Sequence, residues 1–156
     1  MPTLDYTGSS AAGSFVPESF SAHAHRFVMY RRLKVADIIA ADSTMTTNGY
    51  IAADDIIQLF HVSNGCCPND ALIRILTAHT ASVTIEVGIA GGAELIADNA
   101  MDTTAGICYK TITTDSYAHG HIFIAADTID IQYKGANVVV GDSELFVFGK
   151  QLVLGT

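Results

Sequence analysis

The sequence predicts an all-β protein: an antiparallel β-sandwich of jelly-roll or Greek-key type, with an extended N-terminal arm. Three observations lead there. Ile, Val and Thr number 16, 11 and 15, together 42 of 156 residues. Such branched side chains lose rotamer freedom on a helix and pack well on a pleated sheet. From residue 54 onward, short apolar stretches alternate with Gly, Asn and Asp turn signals at intervals of roughly 8–12 residues. No long helical period follows residue 50, which argues against parallel βαβ units.

Residues 1–22 stand apart. Thr7-Gly8-Ser9-Ser10-Ala11-Ala12-Gly13-Ser14 is small and polar, and Leu4, Tyr6, Phe15, Val16 and Phe20 appear singly, without a period of 2 or 3.6. Such a segment builds no core of its own; its aromatic residues suit it to anchoring on a neighbour. Residues 23–53 form a basic connecting segment holding Arg26, Arg31, Arg32 and Lys34, four positive groups within nine residues. Residues 1–34 carry 4 basic and 2 acidic groups, net +2, and residues 35–156 carry 4 and 14, net −10, which sums to −8. The basic cluster therefore suits an acidic partner surface or a solvated face.

Residues 54–156 read as the sandwich body. Asp55–Val62 is strand-like and ends at the Asn64-Gly65 turn signal. Ala71–Thr77 follows, then Ser82–Ile89, where Val83, Ile85, Val87 and Ile89 alternate against Thr84, Glu86 and Gly88 as a half-buried strand does. After the Ala90-Gly91-Gly92 turn come a short strand at Ala93–Ala97 and a loop or short helix at Asp98–Thr104. Further strands are expected at Gly106–Thr113, His121–Ala125 and Thr128–Lys134. Past the Gly135-Ala136-Asn137 turn, Val138–Val140, Glu144–Phe148 and Gln151–Leu154 complete the set.

Composition excludes several functions. With 8 Lys+Arg against 16 Asp+Glu, the chain is a poor match to a phosphate backbone, so no direct nucleic-acid partner is expected. Charged residues are only 15% of the total, against about 25% in a typical soluble domain, which suggests a surface partly covered by other chains and a homo-oligomer. Three cysteines, Cys66, Cys67 and Cys108, make no complete disulfide framework and read as free thiols in a reducing place of synthesis, the cytosol. The start Met1-Pro2-Thr3-Leu4-Asp5 lacks a signal peptide's basic and apolar regions, and apolar runs fall short of the ~20 residues of a spanning helix, so no membrane partner is expected.

Catalytic chemistry is hard to find. His119-Gly120-His121 places two imidazoles on one strand face, as a metal site would. In a cupin a Glu should follow the second His by four or five positions, where Ala125 and Ala126 stand, and the Gly expected six before the first His is Thr113. His23-Ala24-His25 has the same spacing and no third ligand. No Gly-x-Ser-x-Gly elbow or phosphate loop occurs, and Cys66 and Cys67 fall in a Gly/Pro turn beside no base. The acidic residues fall at turns, where they satisfy backbone amides. No catalytic residue, metal ligand or cofactor is assigned, and the chain reads as a protein other than an enzyme.

The run Asp54-Asp55-Ile56-Ile57-Gln58-Leu59-Phe60-His61-Val62, its glycine-containing turn and Ala71-Leu72-Ile73-Arg74-Ile75 form a recognisable layout. So do Val83-Thr84-Ile85-Glu86-Val87-Gly88 with Gly91-Gly92, and Ala125-Ala126-Asp127-Thr128-Ile129-Asp130-Ile131. Over residues 50–154 this layout resembles the small structural proteins of tailed-phage virions, in particular head decoration (cement) proteins. The resemblance implies an oligomer, commonly a trimer, seated on the major capsid protein at the exterior of the virion, with no catalytic residues. Within that reading Tyr6, Phe15, Phe20, Arg26, Arg31, Arg32 and Lys34 are the candidate contacts to the capsid or a neighbouring subunit. A head fibre, neck or tail protein shares the composition. A carbohydrate-binding sandwich module is disfavoured by 0 Trp and 6 Tyr, and a cupin-like metalloenzyme by the missing Glu.

Overall fold

The computed structural model describes residues 3–5, 18–21, 24–101, 106, 108–109 and 122–152; at residues 3–5, 18–21, 24–25, 98–99 and 108–109 it describes the backbone alone. The described residues form ten strands and two short helices. In chain order these are β1 (Thr3–Asp5), β2 (Glu18–Ser21), β3 (Ala24–Lys34), α1 (Val35–Ala41), α2 (Ser43–Asn48), β4 (Ile56–Val62) and β5 (Cys66–Thr77). They continue with β6 (Thr84–Gly88), β7 (Ile96–Ala100), β8 (Cys108–Tyr109), β9 (Asp127–Lys134) and β10 (Asp142–Leu152).

Two five-stranded sheets result, ordered β1-β4-β9-β6-β7 and β2-β3-β10-β5-β8. From β3 onward the pairing is that of a long hairpin wrapped on itself: β3 with β10, β4 with β9, β5 with β8, and β6 with β7 at its tip. All these pairs are antiparallel, and the arrangement is the jelly-roll form of the β-sandwich. β1 adds a parallel edge strand against β4, and β2 an antiparallel one against β3.

Strand alternation makes the core. Phe27, Met29 and Leu33 of β3, Ala71, Ile73 and Ile75 of β5, and Leu145 and Val147 of β10 point inward from the second sheet. Ile57 and Leu59 of β4, Ile85 and Val87 of β6, and Ile129, Ile131 and Tyr133 of β9 meet them from the first. The helices close one end with Val35, Ile38 and Met45. Asp42 caps α2, its carboxylate accepting from the backbone N–H groups of Thr44 (2.8 Å) and Met45 (2.9 Å). Gly49 ends α2 with a left-handed φ of 76°.

Several elements differ from the sequence expectation. The basic segment contributes β3, a long internal strand, since Phe27, Met29 and Leu33 give it a period of 2 that the interleaved cations obscure. Cys66 and Cys67 open β5 rather than sit in a turn; Pro68 is tolerated inside that strand because the ladder slips there, between Phe148 and Gly149. The strands expected at Glu144–Phe148 and Gln151–Leu154 are one strand through Gly149, where a Cβ would stand 2.5 Å from the Cys67 carbonyl oxygen and from the Phe27 ring. The short strand expected at Ala93–Ala97 is displaced to Ile96–Ala100, and Val138–Val140 reduces to a single bridge between Val138 and Ile51. Residues 122–125 form no strand; buried Phe123 instead ties its backbone to Gly65 and Cys66 (2.7 and 2.8 Å), leaving Ile122 and Ile124 exposed beside it.

Candidate functional site

The outer face of the second sheet is the chemically distinctive surface among the described residues. Inward positions of β3 and β10 are odd-numbered, so Arg26, Val28, Tyr30, Arg32 and Lys34 project outward, beside Asp142, Glu144, Phe146, Phe148 and Lys150. β5 adds Leu72, Arg74 and Leu76 on the same side. Five of the chain's 8 Lys+Arg thus stand on one face.

Their charges are sorted along the strands. Near the helices Arg32 grips Asp142 with two hydrogen bonds, Nε to Oδ1 at 3.0 Å and Nη2 to Oδ2 at 2.6 Å. Arg74 donates from Nε to Glu144 Oε2 at 2.8 Å, and the Tyr30 hydroxyl donates to Glu144 Oε1 at 3.0 Å. Burial, and then that bond to a carboxylate, raise the Tyr30 pKa, so the phenol keeps its proton. Lys34 pairs with Asp37 at 3.3 Å. At the other end Arg26 and Lys150 are exposed, and a concavity of about 650 Å³ lies between them, lined also by Phe27, Val28, Asn69, Phe148 and Gly149.

The expected contact residues separate accordingly. Arg26, Arg32 and Lys34 share the outer face. Arg31 does not: the alternation that exposes Arg32 turns Arg31 inward, where it is 1% exposed and unable to meet a partner surface. Its Nη2 donates to the Leu59 carbonyl at 2.9 Å. Leu59 is the residue at which the β4–β9 ladder slips, and the guanidinium reaches its carbonyl at that bulge. Phe20 lies in β2 by its backbone, while Tyr6 and Phe15 lie outside the described residues.

The sequence reading did not single out Val28, Tyr30, Leu72, Phe146, Phe148 or Lys150. A signal was present: Phe27-Val28-Met29-Tyr30 and Leu145-Phe146-Val147-Phe148 are unbroken apolar runs, which mark a strand covered on both faces.

His119 and His121 lie outside the described residues, as does His23, and His25 is described by its backbone alone. Among the described residues no three His, Cys, Asp or Glu side chains converge as metal ligands. Burial pushes the Cys66 thiol up to about 12, and also raises that of Cys67, which holds both as thiols rather than nucleophilic thiolates at neutral pH. No helix among the described residues is long and apolar enough to cross a membrane.

The wrapped double sheet is similar to that of solved chains from phage capsids. A chain in the capsid of Ralstonia phage GP4 superposes with a TM-score of 0.64 at 16% identity, over 99% of this chain and 100% of that one. A chain in the acid-stable capsid of Helicobacter pylori bacteriophage KHP30 matches with a TM-score of 0.54 at 12% identity, over 83% and 90% of the two chains. No protein-family model matches the sequence, and no curated protein does.

Proposed function

We propose that the protein is a tailed-phage head decoration (cement) protein that binds the major capsid protein and stabilises the shell. The observation that carries this reading is the shared fold over 99% of this chain and 100% of the GP4 capsid chain. Low charge and a β body fit a structural role. In this role it is a homo-oligomer, a trimer, on the capsid exterior. Arg26, Arg32 and Lys34 face its partners, with Tyr6, Phe15 and Phe20 of the N-terminal arm as further anchors.

The test is reconstitution. Shells of the parent phage lacking this protein are incubated with purified protein, and bound copies are counted by quantitative mass spectrometry. Stoichiometric occupancy, and genome release at a higher temperature than from bare shells, are the expected results. Recovery of the protein from tails or necks alone would overturn the reading.

A further inference from the structure

A sandwich sheet with one face on the core should present polar residues on the other. The outer face of the second sheet does not: Val28, Tyr30, Leu72, Leu76, Phe146 and Phe148 occupy its middle, each half-buried. Phe146 stands between Tyr30 and Leu72 in register, and its ring lies 5.1 Å from that of Tyr30.

The second anomaly is electrostatic. Lys150 is directly opposite Arg26 in the β3–β10 ladder. Like charges so placed repel. Elsewhere on this face each cation has a carboxylate, whereas Arg26 and Lys150 have no ion-pair partner among the described residues. Glu18 of β2 falls opposite Arg26 on its other side in register, and Asp70 of β5 opposite Phe148, so the nearest carboxylates are set on the flanking strands and not between the two cations. The concavity between the two cations is lined by Val28 and Phe148 and has a volume within the range of ligand and peptide sites, about 300–1,000 Å³.

An occupant that answers both features carries a carboxylate beside an apolar side chain. Two cations on a chain of net charge −8 make a poor nucleic-acid surface. We propose that this concavity docks an acidic, apolar-tipped chain segment of the shell protein, Arg26 and Lys150 holding its carboxylate while its apolar side chain lies on Val28 and Phe148. The proposal rests on the cement reading, and it names where the shell is gripped.

The experiment uses the full chain and shells of the same phage lacking it. Arg26→Glu exchanges repulsion with Lys150 for repulsion with Glu18, so the variant should unfold thermally close to wild type. Its binding to shells should nevertheless fall roughly tenfold or more. Lys150→Glu should do the same, and Phe148→Ser should weaken binding without changing its salt dependence. Asp127→Lys, away from this face, should bind as wild type does. Wild-type binding with Arg26→Glu and Lys150→Glu undiminished would overturn the proposal and leave the cement reading standing. Absence of wild-type binding to any shell would overturn the cement reading. Loss of self-association by light scattering in Arg26→Glu, with shell binding intact, would assign the site to a second copy and overturn the proposal, as would loss of duplex-DNA binding alone.

Discussion

His79 is the residue through which the sandwich senses acid. It is 4% exposed, its ring lies 5.9 Å from that of Tyr133, and neither ring nitrogen has a hydrogen-bond partner among the described residues. Burial pulls its imidazole from an ordinary 6.5 to about 4, against the opposing pulls of Asp142 and of the Met101 backbone. Between those values the unfolded chain binds a proton that the folded chain refuses, so stability is fully present above 6.5 and is lost as pH falls toward 4. By pH 5 the loss should reach roughly 2 kcal/mol. Asp55 and Asp130, whose carboxyls burial raises, act in the opposite sense at the acidic end. Urea unfolding at pH 7 and pH 5 measures the slope, and His79→Phe, which keeps the ring and loses the titration, should flatten it. Arg31 is the other consequential residue. Arg31→Ala deletes the bond to the Leu59 carbonyl and leaves a void between the sheets, an expected cost of about 3 kcal/mol in urea unfolding. Arg31→Met fills the void and should cost less.

At the level of elements, legibility followed periodicity. β6 and β9 were readable because one side of each strand is an unbroken apolar series, Ile85 and Val87 or Ile129, Ile131 and Tyr133. β3 was not, because charged Arg31 occupies an inward position and apolar Val28 and Tyr30 occupy outward ones. The candidate face was therefore half visible: its cations could be read from the sequence, while its apolar centre needed the strand's phase. β1 and β2 were illegible for a different reason. Residues 3–5 and 18–21 join sheets through main-chain hydrogen bonds, which demand no side-chain pattern. These strands cover the β4 edge of one sheet and the β3 edge of the other. Deleting residues 1–22 should accordingly leave the core folded but expose both edges, seen as faster amide exchange in β3 and β4 and a greater tendency to aggregate.

For the whole molecule, the pairing of the first long strand with the last was beyond any local reading, since Arg32 and Asp142, 110 residues apart, meet across it. That wrapping has a consequence for synthesis. β10 lies between β3 and β5, and it is the last of the ten strands in chain order to leave the ribosome. Until it is delivered, β3 and β5 have no common neighbour and their facing edges stay open. The surface that holds Arg26 and Lys150 together does not exist in a nascent chain that ends before β10, because half of it belongs to that strand. On the proposed role, translation stopped before residue 142 would yield a product without this surface, and only chains read through β10 would be competent to bind.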